Sequence, residues 1–71
     1  MNPVKLIRMA NRIGGFFAAM PDREQAIGDV ASHIARTWEP RMIRDLRAHM
    51  VNHGAADLSD IVRAALARLP Q

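Results

Sequence analysis

Residues 3–20 read PVKLIRMANRIGGFFAAM, and this stretch decides the fold class. Apolar side chains recur in it at spacings of three and four residues, which is the period of an amphipathic α-helix. These side chains are Leu6, Met9, Ile13, Phe16 and Met20, with Ile7, Ala10 and Phe17 beside them. Asn2 and Pro3 form a typical helix start, since Asn can accept from a free amide and Pro loses no hydrogen bond at the first helical position. We predict a helix over residues 3–20.

Two adjacent glycines, Gly14 and Gly15, lie inside this helical pattern. Each should weaken the helix by about 1 kcal/mol relative to alanine. Either the helix kinks there, or a neighbouring helix comes so close that no side chain fits. We favour the close approach of a neighbour.

Three further helices are predicted. Asp22, with Gln25 three residues later, resembles a capping box and begins a helix over residues 23–38. Pro40 excludes the preceding residue from helical geometry and begins a helix over 40–52, which Gly54 can end. Asp57 begins the last helix, over 58–69. The apolar stripes are Ile27, Val30, Ile34 and Trp38 in the second helix, Ile43, Leu46 and Met50 in the third, and Leu58, Ile61, Ala65, Leu66 and Leu69 in the fourth.

The sequence has no stretch with the apolar and polar alternation of a β-strand. We therefore expect an all-α fold, a small four-helix domain with short connections over residues 1–71. A chain of this length builds a small core, and it has no cysteine that could add a disulfide. It either packs its helices very well or completes its burial against a partner.

The composition favours a protein-binding role. Ten basic residues and seven acidic residues give a net charge of +3, and nine of the ten basic residues are Arg. The planar guanidinium suits interface ion pairs because it stays charged when partly buried. Five Met and one Trp are also of types enriched at buried interfaces. In a chain with so few aromatic residues, Trp38, Phe16 and Phe17 are nevertheless more often part of the core.

Neither export nor membrane insertion is predicted. Charged residues interrupt the apolar run near the N-terminus, and no segment approaches the roughly 20 apolar residues of a membrane span. We expect a cytoplasmic protein that does not bind a membrane.

No catalytic, cofactor-binding or metal-binding residue is predicted. The chain lacks a nucleophile triad, a glycine-rich phosphate loop and a paired-carboxylate motif. His49 and His53 are four residues apart, so both could ligate zinc from one helix face, with Asp45, Asp57 or His33 as the third ligand. Because there is no cysteine, and no Glu between the two histidines, chance spacing is the better interpretation.

A small basic helical DNA-binding regulator is the alternative. The corner at residues 38–40 and the following helix with Arg41, Arg44 and Arg47 resemble a helix-turn-helix reader, and the pI is near 11.1. Asp45 interrupts this row, and the turn contains proline in place of the short Gly-containing turn of such motifs. A free-standing homodimer is a third possibility.

Two blocks of sequence resemble the delta subunit of soluble NAD-dependent formate dehydrogenases. The first is Arg8-Met9-Ala10-Asn11-Arg12-Ile13 followed by Phe16-Phe17, and the second is Trp38-Glu39-Pro40-Arg41-Met42. Ile61-Val62-Arg63-Ala64-Ala65 is similar to the end of that family's domain, so the resemblance extends from about Lys5 to Leu66. The chain departs from the family pattern at Arg12, where glutamine is common, and at Gly14-Gly15.

The resemblance implies a non-catalytic accessory subunit that assembles or stabilises the catalytic alpha subunit of a molybdenum or tungsten enzyme. Beta and gamma subunits would complete the complex. The molybdenum or tungsten pterin cofactor, the iron–sulfur clusters, FMN and NAD would be bound by those other subunits. Without cysteine, this chain has no thiolate for an iron–sulfur cluster.

The residues of the two blocks define the predicted partner interface. Their Arg side chains can make paired hydrogen bonds to carboxylates or to backbone carbonyls. The predicted interface residues are Arg8, Asn11, Arg12, Trp38, Pro40 and Arg41. Nucleic acid is not an expected partner.

Overall fold

A computed structural model describes residues 2–70 and contains four α-helices in that range. They are α1 (Pro3–Phe17), α2 (Arg23–Thr37), α3 (Pro40–His53) and α4 (Asp60–Arg68). No strand occurs in this part of the chain, and the predicted all-α class is confirmed. Met1 and Gln71, which end the predicted domain, lie outside the described residues.

The core lies where α1, α2 and α4 meet. Helix α1 contacts all three other helices, α2 packs most extensively along α4, and α3 lies against α1. The largest fully buried side chains are Leu6, Val30, Ile34, Leu46 and Val62. Leu46 is the one buried residue of α3, whose Met42, Ile43 and Met50 are half-buried. Helix α3 is therefore the most weakly buried of the four.

The buried face of α1 differs from the predicted one. Leu6, Ala10 and Gly14 are buried and Phe17 packs against the core, whereas Phe16 is 76% exposed. Successive helical residues are turned by about 100°, and Phe17 is the one that follows Ala10 and Gly14 at helical spacing on the buried face, so Phe16 points outward. The assignment of Phe16 to the core is wrong.

Gly14 lies where α1 meets the beginning of α4. A Cβ atom at position 14 would stand 2.7 Å from Cγ2 of Val62 and 3.0 Å from Cγ2 of Ile61. Only a residue without a side chain allows the two helices to approach this closely. A Cβ atom at Gly15 would meet nothing within 4 Å. The predicted close approach is confirmed at Gly14, and α1 continues through both glycines.

Two of the predicted helix starts are formed by side-chain caps. Oδ1 of Asn2 accepts from the Val4 amide at 2.8 Å, and Oδ1 of Asp22 accepts from the Gln25 amide at 3.2 Å. The Gln25 side chain donates to Asp29 at 3.0 Å instead of reaching back to the cap. The reciprocal half of the predicted capping box is therefore not formed.

The helix ends differ from the predicted ones by up to three residues. Helix α1 ends at Phe17 and not at residue 20, α2 at Thr37 and not at 38, and α3 at His53 and not at 52. Gly54 ends α3 with a φ of +84°, which favours glycine. Helix α4 spans 60–68 instead of 58–69, and its N-cap is Ser59, not Asp57.

The late start of α4 has a physical cause in the loop that precedes it. The Leu58 amide donates to the Ala55 carbonyl at 3.1 Å in a turn, and Ser59 is extended, with φ −66° and ψ 157°. Asn11 of α1 forms hydrogen bonds with the backbone of this loop on either side of Leu58, at the Asp57 carbonyl and the Ser59 amide. Sequence patterns near a helix end do not show such tertiary contacts.

Candidate partner-binding surface

Trp38 and Pro40 form the corner between α2 and α3. The Trp38 amide donates to the Ile34 carbonyl at 2.9 Å, and Glu39 is extended before Pro40 begins α3, as predicted. The Trp38 side chain turns inward and is only 6% exposed. It therefore belongs to the core, and little of it can be reached from outside.

A groove of about 570 Å³ opens beside this corner. It is lined by Ala35, Trp38, Pro40, Ile43, Arg44, Arg47, Leu69 and Pro70, and most of its surface is apolar. Arg44 is exposed and contributes positive charge. Arg41 lies beside Pro40, is exposed, and pairs with Glu39 at 3.4 Å. The second sequence block thus borders an apolar groove that carries Arg side chains.

Arg47, a residue of α3, caps the C-terminal end of α4. Its Nη2 donates to the carbonyls of Leu66 at 2.7 Å and Leu69 at 2.8 Å, and its Nη1 donates to the Pro70 carbonyl at 2.8 Å. The last carbonyls of a helix have no partner within the helix, and a cation there also interacts favourably with the helix dipole. These three bonds attach the weakly buried α3 to α4.

This role of Arg47 is not apparent from the sequence, in which its spacing places it in a row with Arg41 and Arg44. Pro70 signals that α4 must end and leave carbonyls free. No local pattern, however, identifies a donor that lies about 20 residues away.

We expect Arg47→Met to lower the free energy of unfolding by about 2 kcal/mol. The substitution keeps the apolar stem but removes the donor of the part-buried Leu69 carbonyl and leaves the Leu66 carbonyl with only the Leu69 amide. Arg44→Met, on the exposed side of the same helix, is the control and should change stability by no more than about 0.5 kcal/mol. Urea unfolding followed by circular dichroism measures both. Equal stabilities would contradict the capping role.

Asn11 uses both ends of its side-chain amide inside the molecule. Its Nδ2 donates to the Asp57 carbonyl at 2.9 Å, and its Oδ1 accepts from the Ser59 amide at 3.0 Å. It thereby holds the loop before α4 against α1. This predicted interface residue has an intramolecular role, and its contact with a partner stays a prediction.

Arg8 and Arg12 lie on the outward side of α1, one turn apart, and both are exposed. Neither forms an ion pair with another residue in the range 2–70. Arg12 borders a second depression, of about 310 Å³, whose other lining residues are Ile13, Phe16, Phe17 and His33.

The six predicted interface residues do not line a single groove. Trp38 and Pro40 line the first groove, and of the six only Arg12 lines the second depression. Both blocks nevertheless border apolar depressions beside exposed Arg side chains. Such surfaces are typical of protein-binding sites, whose centres are apolar and whose charged groups lie at the rim.

The remaining candidates for chemistry receive little support. The His49 and His53 rings lie with their centroids 4.9 Å apart, yet no group of three or more His, Cys, Asp or Glu within residues 2–70 could hold a metal ion. In the row of Arg residues on α3 that resembles a DNA reader, Arg47 caps α4 and Arg41 pairs with Glu39.

No helix in the described part of the chain is both long and apolar enough to cross a membrane.

Comparison with known proteins identifies one family. The sequence model of one protein family, the NADH-dependent formate dehydrogenase delta subunit FdsD, matches residues 5–66 of this chain. The chain belongs to this family. The resemblance inferred from the two sequence blocks is thereby confirmed. Searches of curated proteins and of solved structures found no match.

The part of this delta-subunit chain that matches the family contains both blocks, the close contact at Gly14 and, of the three Arg47 bonds, the one to Leu66. It ends at Leu66, before the two residues that complete the first groove, Leu69 and Pro70. The second depression, in contrast, lies wholly within the matched part.

Proposed function

We propose that this delta-subunit chain is a non-catalytic accessory subunit that docks on the catalytic alpha subunit and assembles or stabilises it. The observation that carries the proposal is the match to the delta-subunit family over residues 5–66, which places the chain in a formate dehydrogenase complex. The apolar depressions bordered by Arg12 and by Arg44 support a docking role. Beta and gamma subunits complete the complex, which works in the cytoplasm.

The redox chemistry belongs to the larger subunits in this proposal. Oxidation of formate gives carbon dioxide, one proton and two electrons, and the electrons reduce NAD⁺ to NADH with uptake of one proton. A molybdenum or tungsten pterin cofactor, iron–sulfur clusters and FMN serve this transfer on those subunits. The residues of this chain do not fit an iron–sulfur cluster, because it has no cysteine.

The proposed contact residues fall into two groups. Arg8, Arg12 and Arg41 are exposed and can reach carboxylates or carbonyls of the alpha subunit, with Pro40 exposed beside Arg41. Asn11 and Trp38 support the contact indirectly. Asn11 holds the loop before α4 through its hydrogen bonds, and the buried Trp38 side chain fixes the corner after α2.

Substituting Arg8 and Arg41 together by alanine should lower recovery of the chain with tagged alpha subunit about tenfold or more. Interface arginines are frequent hot spots, and about 1.4 kcal/mol corresponds to a factor of ten in affinity. The helical circular dichroism of the isolated chain should stay nearly unchanged because both side chains are exposed. Arg23→Ala with Arg36→Ala removes two exposed positive charges outside the blocks and serves as the control.

The same preparations separate the parts of the proposal. Unchanged recovery and formate turnover in the Arg8 and Arg41 variant would show that the contact set is wrong. A wild-type chain that does not purify with the alpha subunit would contradict the docking role. Formate-dependent NADH formation by the isolated chain would contradict the non-catalytic role.

A further inference from the structure

The outward side of α1 carries a row of exposed side chains that its own core does not use. Lys5, Arg8, Arg12 and Phe16 follow one another at spacings of three and four residues, which places them on one face of the helix. All four are exposed. We call this row the α1 stripe.

The charges of the α1 stripe are not balanced within the described chain. Arg41, Arg63 and Arg68 each pair with an acid, whereas Arg8 and Arg12 pair with none of residues 2–70. Arg8 and Arg12 are one helical turn apart, so the Cβ atoms of the two residues lie about 5–6 Å from each other. Two positive charges at this spacing repel each other, and two carboxylates of a partner would relieve the repulsion.

The apolar end of the stripe borders a depression. Phe16 is 76% exposed and stands edge-on to Phe17 at 5.1 Å between ring centroids, and Phe17 in turn contacts the His33 ring at 6.1 Å. The depression of about 310 Å³ beside these rings matches the smaller ligand pockets of proteins. An exposed aromatic ring beside an apolar pocket is typical of the anchor region of a protein interface.

We propose that the α1 stripe docks an acidic segment of a partner subunit. Two carboxylates of that segment pair with Arg8 and Arg12, and an apolar side chain that follows them enters the depression beside Phe16. A helical segment with acids one turn apart has the matching spacing. This inference rests on the proposed function, since it names the chemistry by which another subunit recognises this chain.

The structure favours a protein over the two other partners that a basic surface could bind. A helix lying on a membrane buries its apolar face in lipid, but the apolar face of α1, with Leu6 and Ala10, is buried in the core of this protein. A nucleic acid backbone would pair with the three cations of the stripe and leave the apolar depression unfilled.

The test measures the affinity of the full-length chain for the formate dehydrogenase complex prepared without it. Arg12→Glu should weaken binding more than tenfold, and Phe16→Ala should weaken it about tenfold. The matched controls are Arg23→Glu, an exposed Arg without an ion pair in the described chain, and Val51→Ala, an apolar side chain that is 85% exposed. Both controls should bind within about twofold of wild type. Circular dichroism confirms that each variant is folded.

Each outcome decides a different statement. If the wild-type chain binds the complex and both stripe variants bind like their controls, the stripe proposal is overturned and the proposed function stands. If the wild-type chain does not bind the complex, both fall. Binding to duplex DNA or to phosphatidylserine vesicles that is lost in Arg12→Glu, while binding to the complex is kept, would assign the stripe to that other partner and overturn the proposal.

Discussion

Gly14→Leu should lower the free energy of unfolding by about 3 kcal/mol. Even the first atom of the new side chain would stand 2.7 Å from Val62 and 3.0 Å from Ile61, so α1 and α4 must move apart. Overpacking that forces side-chain and backbone shifts typically costs about 1–3 kcal/mol, and the cost reaches the upper end here because the atoms in the way belong to stiff β-branched side chains. A domain of this length has only about 4–10 kcal/mol of stability at the usual value per residue.

Gly15 provides the matched control on the same helix. Gly15→Ala should raise the free energy of unfolding by about 0.5–1 kcal/mol, since the position is open and alanine is the better helix former. Urea unfolding of the two variants and the wild type gives the comparison. If Gly14→Leu were as stable as the wild type, α1 and α4 would not approach each other as the structure shows.

Trp38→Ala is the other substitution with a large expected effect. Trp38 is 94% buried at the end of α2, and removal of a buried Trp typically costs about 3–5 kcal/mol. A loss of that size is a large part of the about 4–10 kcal/mol expected for so short a chain, and the variant should melt at least about 12 °C below the wild type. Thermal melting followed by far-ultraviolet circular dichroism measures this.

Phe16→Ala is the counterpart of Trp38→Ala, because both aromatic side chains were expected in the core. Phe16 is exposed, so its removal should change stability by no more than about 0.5 kcal/mol. A destabilised Phe16→Ala variant, or a fully stable Trp38→Ala variant, would contradict the packing described for α1 or for the corner. Because Phe16→Ala should fold normally, it can also report on partner binding.

The all-α class could be predicted because apolar periodicity and helix caps act within a few residues of chain. The caps at Asn2 and Asp22 and the corner at Pro40 were predicted from adjacent residues and occur as expected. The periodicity of α1 did not determine which side of the helix faces the core, since Phe16 and Phe17 are neighbours and either could have been the buried one. Packing of α4 on Gly14 decides this side, and that contact is not local in the sequence.

The candidate surface was predictable only in part for the same reason. Arg8 and Arg12 were predicted as interface residues from the first sequence block, and their spacing of four residues is that of neighbours on one helix face. Asn11 and Arg47 could not be assigned, because their hydrogen-bond partners lie about 20 to 50 residues away along the chain. Short polar motifs do not show whether a side chain faces a foreign protein or its own backbone.

The attachment of Arg47 to the end of α4 also determines which substitutions this chain tolerates over residues 66–70. The guanidinium bonds to three main-chain oxygen atoms and to no side chain of the segment from Leu66 to Pro70. One apolar residue can therefore replace another there without loss of these three hydrogen bonds, provided that the helix ends at the same residue. The arginine itself has no such latitude, since no other side chain supplies several donors in one rigid plane.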